Sequence, residues 1–124
     1  MTVTNNESGT SISEVAERIW RINTPIALDG GMAFSFNQYL VEAERPLLFH
    51  TGPRQLFPLV REAVEHVISA SSLHYIGFCH MEADECGSLN EWLAIAPESV
   101  PLCSAVGAMT SIGDIADRPP KAMA

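Results

Sequence analysis

The chain has 124 residues, with 15 acidic side chains against 7 basic ones and a formal net charge of −8. Such a field repels phosphate backbones and anionic lipid surfaces, which excludes nucleic acid and membrane surfaces as natural partners. With 47% hydrophobic and 18% charged residues, the composition is that of one folded domain and far from that of a disordered chain.

No apolar run approaches the roughly 20 residues that span a bilayer. The opening MTVTNNESGTSIS has neither the cationic start nor the apolar block of a secretion signal, so a cytoplasmic protein is expected. Cys79, Cys86 and Cys103 are odd in number and form no C-x-x-C pair, which argues for reduced thiols rather than a disulfide framework or a ribbon-type zinc site.

Residues 1–13 are rich in Thr, Asn, Ser and Gly without apolar periodicity and read as a flexible N-terminal arm, with the folded domain over 14–124. RIWRINTPI carries β-type residues. Alternation over Phe34 to Ala43 predicts a strand in which Phe36, Gln38 and Leu40 face away from Ser35, Asn37, Tyr39 and Val41. RPLLFHTGP follows as a third strand closing on a Gly-Pro turn signal, so the three segments predict an antiparallel meander.

The period then changes. Leu56, Leu59, Val60, Ala63, Val64, Val67 and Ile68 form the stripe of an amphipathic helix, with Pro53 and Pro58 before or within its first turn. SSLHYIGFCH reads as a strand, SLNEWLAIAP as a second helix, VPLCS as a short strand and AVGAMTSIGDIA as a third helix. Ser88 and Glu91 match a capping box, which starts the second helix at Ser88 with Leu89, Trp92, Leu93 and Ala96 on its inner face. The expected order is a β-meander followed by α-β-α-β-α on a mixed sheet, an α/β (α+β) fold whose tail DRPPKAMA cannot prolong the last helix.

Within GFCHMEADECGS, His80, Glu82 and Asp84 recur at two-residue spacing after an apolar run and before glycine and serine. On a helix, side chains two apart lie about 200° round the axis, so these three converge only if the backbone runs on extended past the strand. One imidazole and two carboxylates at the carboxyl end of a strand then suit iron, manganese or zinc. The alternative is a polar turn that caps a helix, with Glu82, Asp84 and Glu85 at its positive end.

HMEADECGSL resembles the H-x-E-x-D segment of the metallo-β-lactamase superfamily. It is closest to the flavodiiron, oxygen-binding di-iron branch, in which glutamate replaces the second histidine of the hydrolases' H-x-H-x-D-H. FSFNQYLVEAERPLLFHTG resembles that branch's second and third strands, and PLCSAVG its strand and helix after the motif, so the resemblance runs from about Val15 to about Met109.

The resemblance implies half of an αββα sandwich and a di-iron centre, with manganese or zinc as alternatives. His80 and Glu82 would ligate one metal and Asp84 the other. Glu85 stands where the family commonly has a histidine and could give an oxygen to the second metal. The family's downstream ligands have no counterpart, because no histidine follows His80. A partial di-metal site related to dioxygen or nitric oxide reduction is therefore expected, in a truncated protein with no flavin site of its own. The alternatives are a metal-dependent hydrolase of esters, lactones or thioesters, and a non-catalytic assembly module. A lone half sandwich leaves an apolar sheet face wet, which implies a homo-oligomer or a missing C-terminal half as partner.

His50 ends the third strand at a position often held by aspartate in the superfamily and reads as a polar group at a strand end. His66 reads as solvated, His74 as a strand residue, Cys79 and Cys86 as inert thiols or donors to a mixed zinc site, and Trp20 and Trp92 as packing anchors.

Overall fold

At the carboxyl end of Ala33–Val41, alternating side chains divide between two environments. Gln38 and Leu40 are fully buried while Tyr39 between them is exposed. The computed structural model describes residues 1–123. Eight strands form one sheet in sequence order: β1 (Thr2–Asn5), β2 (Thr10–Ala16), β3 (Ile19–Ala27), β4 (Ala33–Val41), β5 (Leu47–Phe49), β6 (Tyr75–Gly77), β7 (Val100–Ser104) and β8 (Lys121–Met123). Strands β1 to β5 pair antiparallel, and β5 to β8 pair parallel.

Helix α1 (Phe57–Val64), preceded by a 3-10 turn at Arg54–Leu56, lies across β1, β2 and β3. Its Val60, Ala63 and Val64 are fully buried, as the apolar stripe requires. The short helix α2 (Ala83–Cys86) leads into α3 (Leu89–Ile95), which packs on β6 through the buried Leu89, Trp92 and Leu93. Leu40, Leu48 and Ile76 are cross-strand partners and fully buried beneath these helices.

The opposite face carries the row Ile19, Val41, Leu47, Tyr75 and Val100, joined pair by pair across five strands. All five are only partly buried. Beside them Arg21, Tyr39, Phe49, Gly77, Leu102 and Lys121 form a second row on the same face. No element among the described residues covers it, so the chain has two layers, helices on sheet.

Several sequence expectations are corrected. The segment 1–13 is not a flexible arm: it forms β1 and most of β2, with Thr10, Ser11 and Ile12 buried. Thr10 and Thr24 exchange a hydroxyl hydrogen bond of 3.0 Å inside the sheet, and Asn5 Nδ2 donates to Glu62 Oε1 on α1 at 2.9 Å. The hydroxyls there are satisfied within the protein, Thr10 by Ser8 and Thr24, and composition alone reads such residues as polar.

The tail does not simply stop, because Lys121–Met123 pairs with β7. Arg118 holds it in place by donating from Nη1 to the carbonyls of Ala96 and Ser99 and from Nη2 to that of Leu93, which satisfies the free carbonyl end of α3. The third helix is broken into α4 (Ala105–Gly107), a π turn (Ala108–Ile112) and α5 (Gly113–Ile115). The widened turn carries Ile112 into the core, fully buried.

Candidate metal centre

Parallel pairing of β5, β6 and β7 gathers their carboxyl ends at one rim of the sheet. His50 follows β5, while Cys79 and His80 lie just beyond β6. His50 sits in the left-handed region at φ 67°, an uncommon conformation that histidine tolerates better than most residues. Its N–H donates to Gly77 O at 2.8 Å, and its ring stacks on Phe49 with centroids 4.3 Å apart. Gly52, at φ 78°, then turns the chain back towards α1.

This turn holds the motif. Thr51 N donates to Glu85 O at 2.8 Å and Gly52 N to Asp84 O at 3.0 Å, so the loop's amides satisfy carbonyls of α2. Ser88 Oγ lies 3.1 Å from both Thr51 O and Gly52 O, and Ser88 N donates to Thr51 Oγ1 at 3.2 Å. Ser88 and Thr51 are both fully buried. A β-carbon on Gly87 would meet Ala83 O at 2.4 Å and Pro53 Cα at 3.1 Å, so only glycine allows this approach.

Ser88 does start α3, but not through a capping box, since its side chain makes no cap hydrogen bond and is committed to the loop. Glu91 instead meets Arg54 at 3.0 Å.

The extended run expected through His80, Glu82 and Asp84 is absent. The backbone bends after β6, Glu82 occupies the N-cap position of α2, and Asp84 and Glu85 lie in its first turn. The polar-turn reading is therefore right about local structure. Even so, carboxylates do converge, in a different set: one oxygen from each of Glu82, Asp84 and Glu85 lies within 4.8 Å of the others. His80 is exposed and is not one of the converging groups. The N-cap residue and two first-turn residues of α2 thus achieve what alternation would have achieved on a strand.

The cluster is electrostatically unbalanced. Among the described residues the ion pair present is Arg54–Glu91, and none reaches Glu82, Asp84 or Glu85. Glu85 is 9% exposed, and its Oε2 is buried with no hydrogen-bond partner. Burial raises the Glu85 pKa above the usual carboxylate range, followed by hydrogen bonding with Asp84 and the charges of Asp84 and Glu82. Burial, then Glu85 and Asp84, likewise pushes the Cys86 thiol up. A buried acceptor without a donor, among like charges, is the environment a cation relieves. The converging donors are all carboxylate oxygens, which fit a hard divalent cation such as manganese, magnesium or calcium.

Sequence reasoning missed one pairing. His50 Nε2 lies 3.2 Å from Cys79 Sγ across 29 residues of sequence. The signal was present in the matched ends FHTG and FCH, because parallel neighbours place their last residues side by side. Burial lowers the His50 pKa; Asp84 opposes that shift and His80 adds to it. Cys79 is exposed and opens into a cavity of about 350 Å³. The larger concavity, about 680 Å³ along Phe57, Arg61 and Glu65, is an open groove on α1 away from the carboxylates.

The raised Glu85 pKa has a stability consequence. The folded state holds that proton more tightly than the unfolded one. Its contribution is therefore fully present below the ordinary glutamate range and is lost as pH rises through the raised value. In metal-free protein, Glu85→Gln is expected to melt a few degrees above wild type at about pH 7 and to match it near pH 4. Thermal melts in chelator across that range check this, and parallel wild-type and variant profiles would contradict it.

Comparison with known proteins places this arrangement. The family described as ODP family beta lactamase matches residues 34–109. The flavo-diiron protein FprA2 of Clostridium acetobutylicum is 32% identical over 73 residues, which is 59% of this chain and 18% of that protein. The rubredoxin oxygen:oxidoreductase of Desulfovibrio gigas superposes with TM-score 0.75 at 21% identity, over 91% of this chain and 31% of that one. The mono-zinc metallo-β-lactamase FIM-1 of Pseudomonas aeruginosa gives TM-score 0.65 at 13% identity, over 93% of this chain and 50% of that one. The chain thus spans a third or less of the flavodiiron-type proteins named here and half of the lactamase. Together with the two-layer mixed α/β sheet, the match over residues 34–109 establishes that the chain belongs to the ODP family of β-lactamases.

Proposed function

We propose that this chain carries the carboxylate part of a di-iron centre of the flavodiiron type, serving the reduction of dioxygen or nitric oxide. The observation that carries the reading is the convergence of Glu82, Asp84 and Glu85 around a buried, unpartnered Glu85 oxygen. The relatives' names support it, one being a flavo-diiron protein and another an oxygen:oxidoreductase.

Glu82 and Asp84 would offer oxygens from the outer side and Glu85 from the inner side, with His80 the nitrogen donor of the adjoining loop. Iron bound there supplies the electron exchange with a diatomic gas that no side chain can provide. The chain's own part is to hold hard donors rigidly and to shield the inner one from water, through the bonds that tie α2 to Thr51 and Gly52. A metal pair needs more donors than these four residues give, and the others would come from outside this chain.

Metal analysis after purification with iron(II) or manganese(II) tests the reading. We expect bound metal, a raised melting temperature, and loss of both in the double variant Glu82→Gln, Asp84→Asn. Metal content near zero, or content unchanged in the variant, would remove the proposal.

The open sheet face supports a second part of the reading, that the chain on its own pairs with a second copy through this face. Its centre is apolar, and the strand positions that share it carry Arg21 and Lys121 but no carboxylate, although the chain as a whole is at −8. Two copies meeting there bring no carboxylates of these strands together, and contiguous apolar surface of this kind marks an interface. Sedimentation at micromolar concentration is expected to give twice the 13.5 kDa of one chain, falling to one chain in Leu47→Lys. A wild-type monomer at that concentration would contradict the pairing.

A further inference from the structure

We infer that a second copy of this chain, seated on the open sheet face, completes the metal centre at the rim, so that the cation is held between the carboxylate clusters of two chains. The inference rests on the carboxylate reading above and names the source of the donors that one chain lacks.

The cluster of one chain is unfinished. Hard divalent cations take about six or more oxygen ligands, and three carboxylates leave part of that shell open. Glu82 and Asp84 are exposed and free to meet a group from outside, while Glu85, at 9% exposure, keeps its Oε2 buried without a partner. That buried oxygen separates this cluster from an ordinary solvated acidic patch.

The cluster also borders the uncovered face. Phe49 lies in the second row of that face, in register with Gly77 and Leu102. It shares one cavity with Met81, the residue before Glu82, and with Ser104 and Met123, which pair across β7 and β8. The His50 ring stacks on Phe49, and the next two residues, Thr51 and Gly52, hold the carbonyls of Glu85 and Asp84. A surface laid on the open face therefore reaches the rim where α2 begins.

A second copy is the occupant these features fit. It brings the same donors, and the strand positions of the face carry Arg21 and Lys121 with no carboxylate to hold two copies apart. The chain superposes on half of the FIM-1 lactamase chain, so two copies have the bulk of one such chain. Twofold pairing is the commonest form of association. With the axis along the parallel strands, the carboxyl ends of β5, β6 and β7 of both copies lie at one end, and each cluster faces its equivalent. Six carboxylates gathered there repel one another unless a cation sits among them, so metal binding and pairing are linked.

Sedimentation velocity of the intact chain, first in chelator and then over a manganese(II) titration, tests the sharing, with bound manganese measured in the same samples. Manganese is expected to tighten pairing on the order of tenfold, and Leu47→Lys, which keeps every donor, to weaken manganese binding by the same factor, as reciprocity requires. The double variant Glu82→Gln, Asp84→Asn is expected to pair in chelator and to lose the response to manganese. Circular dichroism verifies the fold of each variant, and the wild-type titration stands without them. Pairing unchanged by bound manganese, a response kept in the double variant, or a Leu47→Lys monomer that binds manganese as tightly as wild type would each overturn the shared site. The last of these would leave the one-chain carboxylate centre standing, whereas no bound manganese in wild type would overturn both.

Discussion

The structure depends on the clasp between the turn after β5 and the segment that runs from α2 into α3. Thr51 and Gly52 donate their amides to Glu85 and Asp84 carbonyls, and Ser88 returns its hydroxyl to the Thr51 and Gly52 carbonyls. Each such bond contributes about 0.5–1.5 kcal/mol net, but leaving a buried partner unpaired costs about 1–3 kcal/mol. Because Thr51 and Ser88 are fully buried, no water stands ready to replace a lost partner. The clasp therefore sets where the carboxylates of α2 must sit, whether or not they repel one another.

That constraint explains an arrangement that would otherwise be unfavourable. Three acidic residues at the start of a four-residue helix gain little from its dipole, and Glu85 is driven inward among like charges with an oxygen left unpartnered. Local chemistry and global packing disagree here, and such disagreement is characteristic of functional positions. The same rim brings His50 to Cys79, so two kinds of reactive group share the carboxyl ends of β5 and β6.

Much of this was legible in the residues. The burial of Gln38 and Leu40 opposite Tyr39, the stripe of α1 and the inner face of α3 all follow from periodicity. The amino-terminal strands were not, because Thr10 and Ser11 are polar by type and become interior only through pairing with Thr24 and Asn23. Arg118 hid β8 in the same way, since the contacts that dock the tail are made to backbone carbonyls distant in sequence.

The site was legible in composition rather than in geometry. The H-x-E-x-D spacing pointed to the right loop, yet the backbone turns helical after Glu82, and Glu85 rather than His80 is the third converging group. Spacing does not report whether a strand continues past its last hydrogen bond; that is decided by the β5 turn, 30 residues earlier in the chain, through Gly52 and Thr51. The central claim is that this clasp aims Glu82, Asp84 and Glu85 at one cation. Anomalous diffraction from crystals grown with manganese tests it most directly: the account predicts a peak ligated by oxygens of all three residues, and a peak elsewhere with the carboxylates splayed into solvent would contradict it.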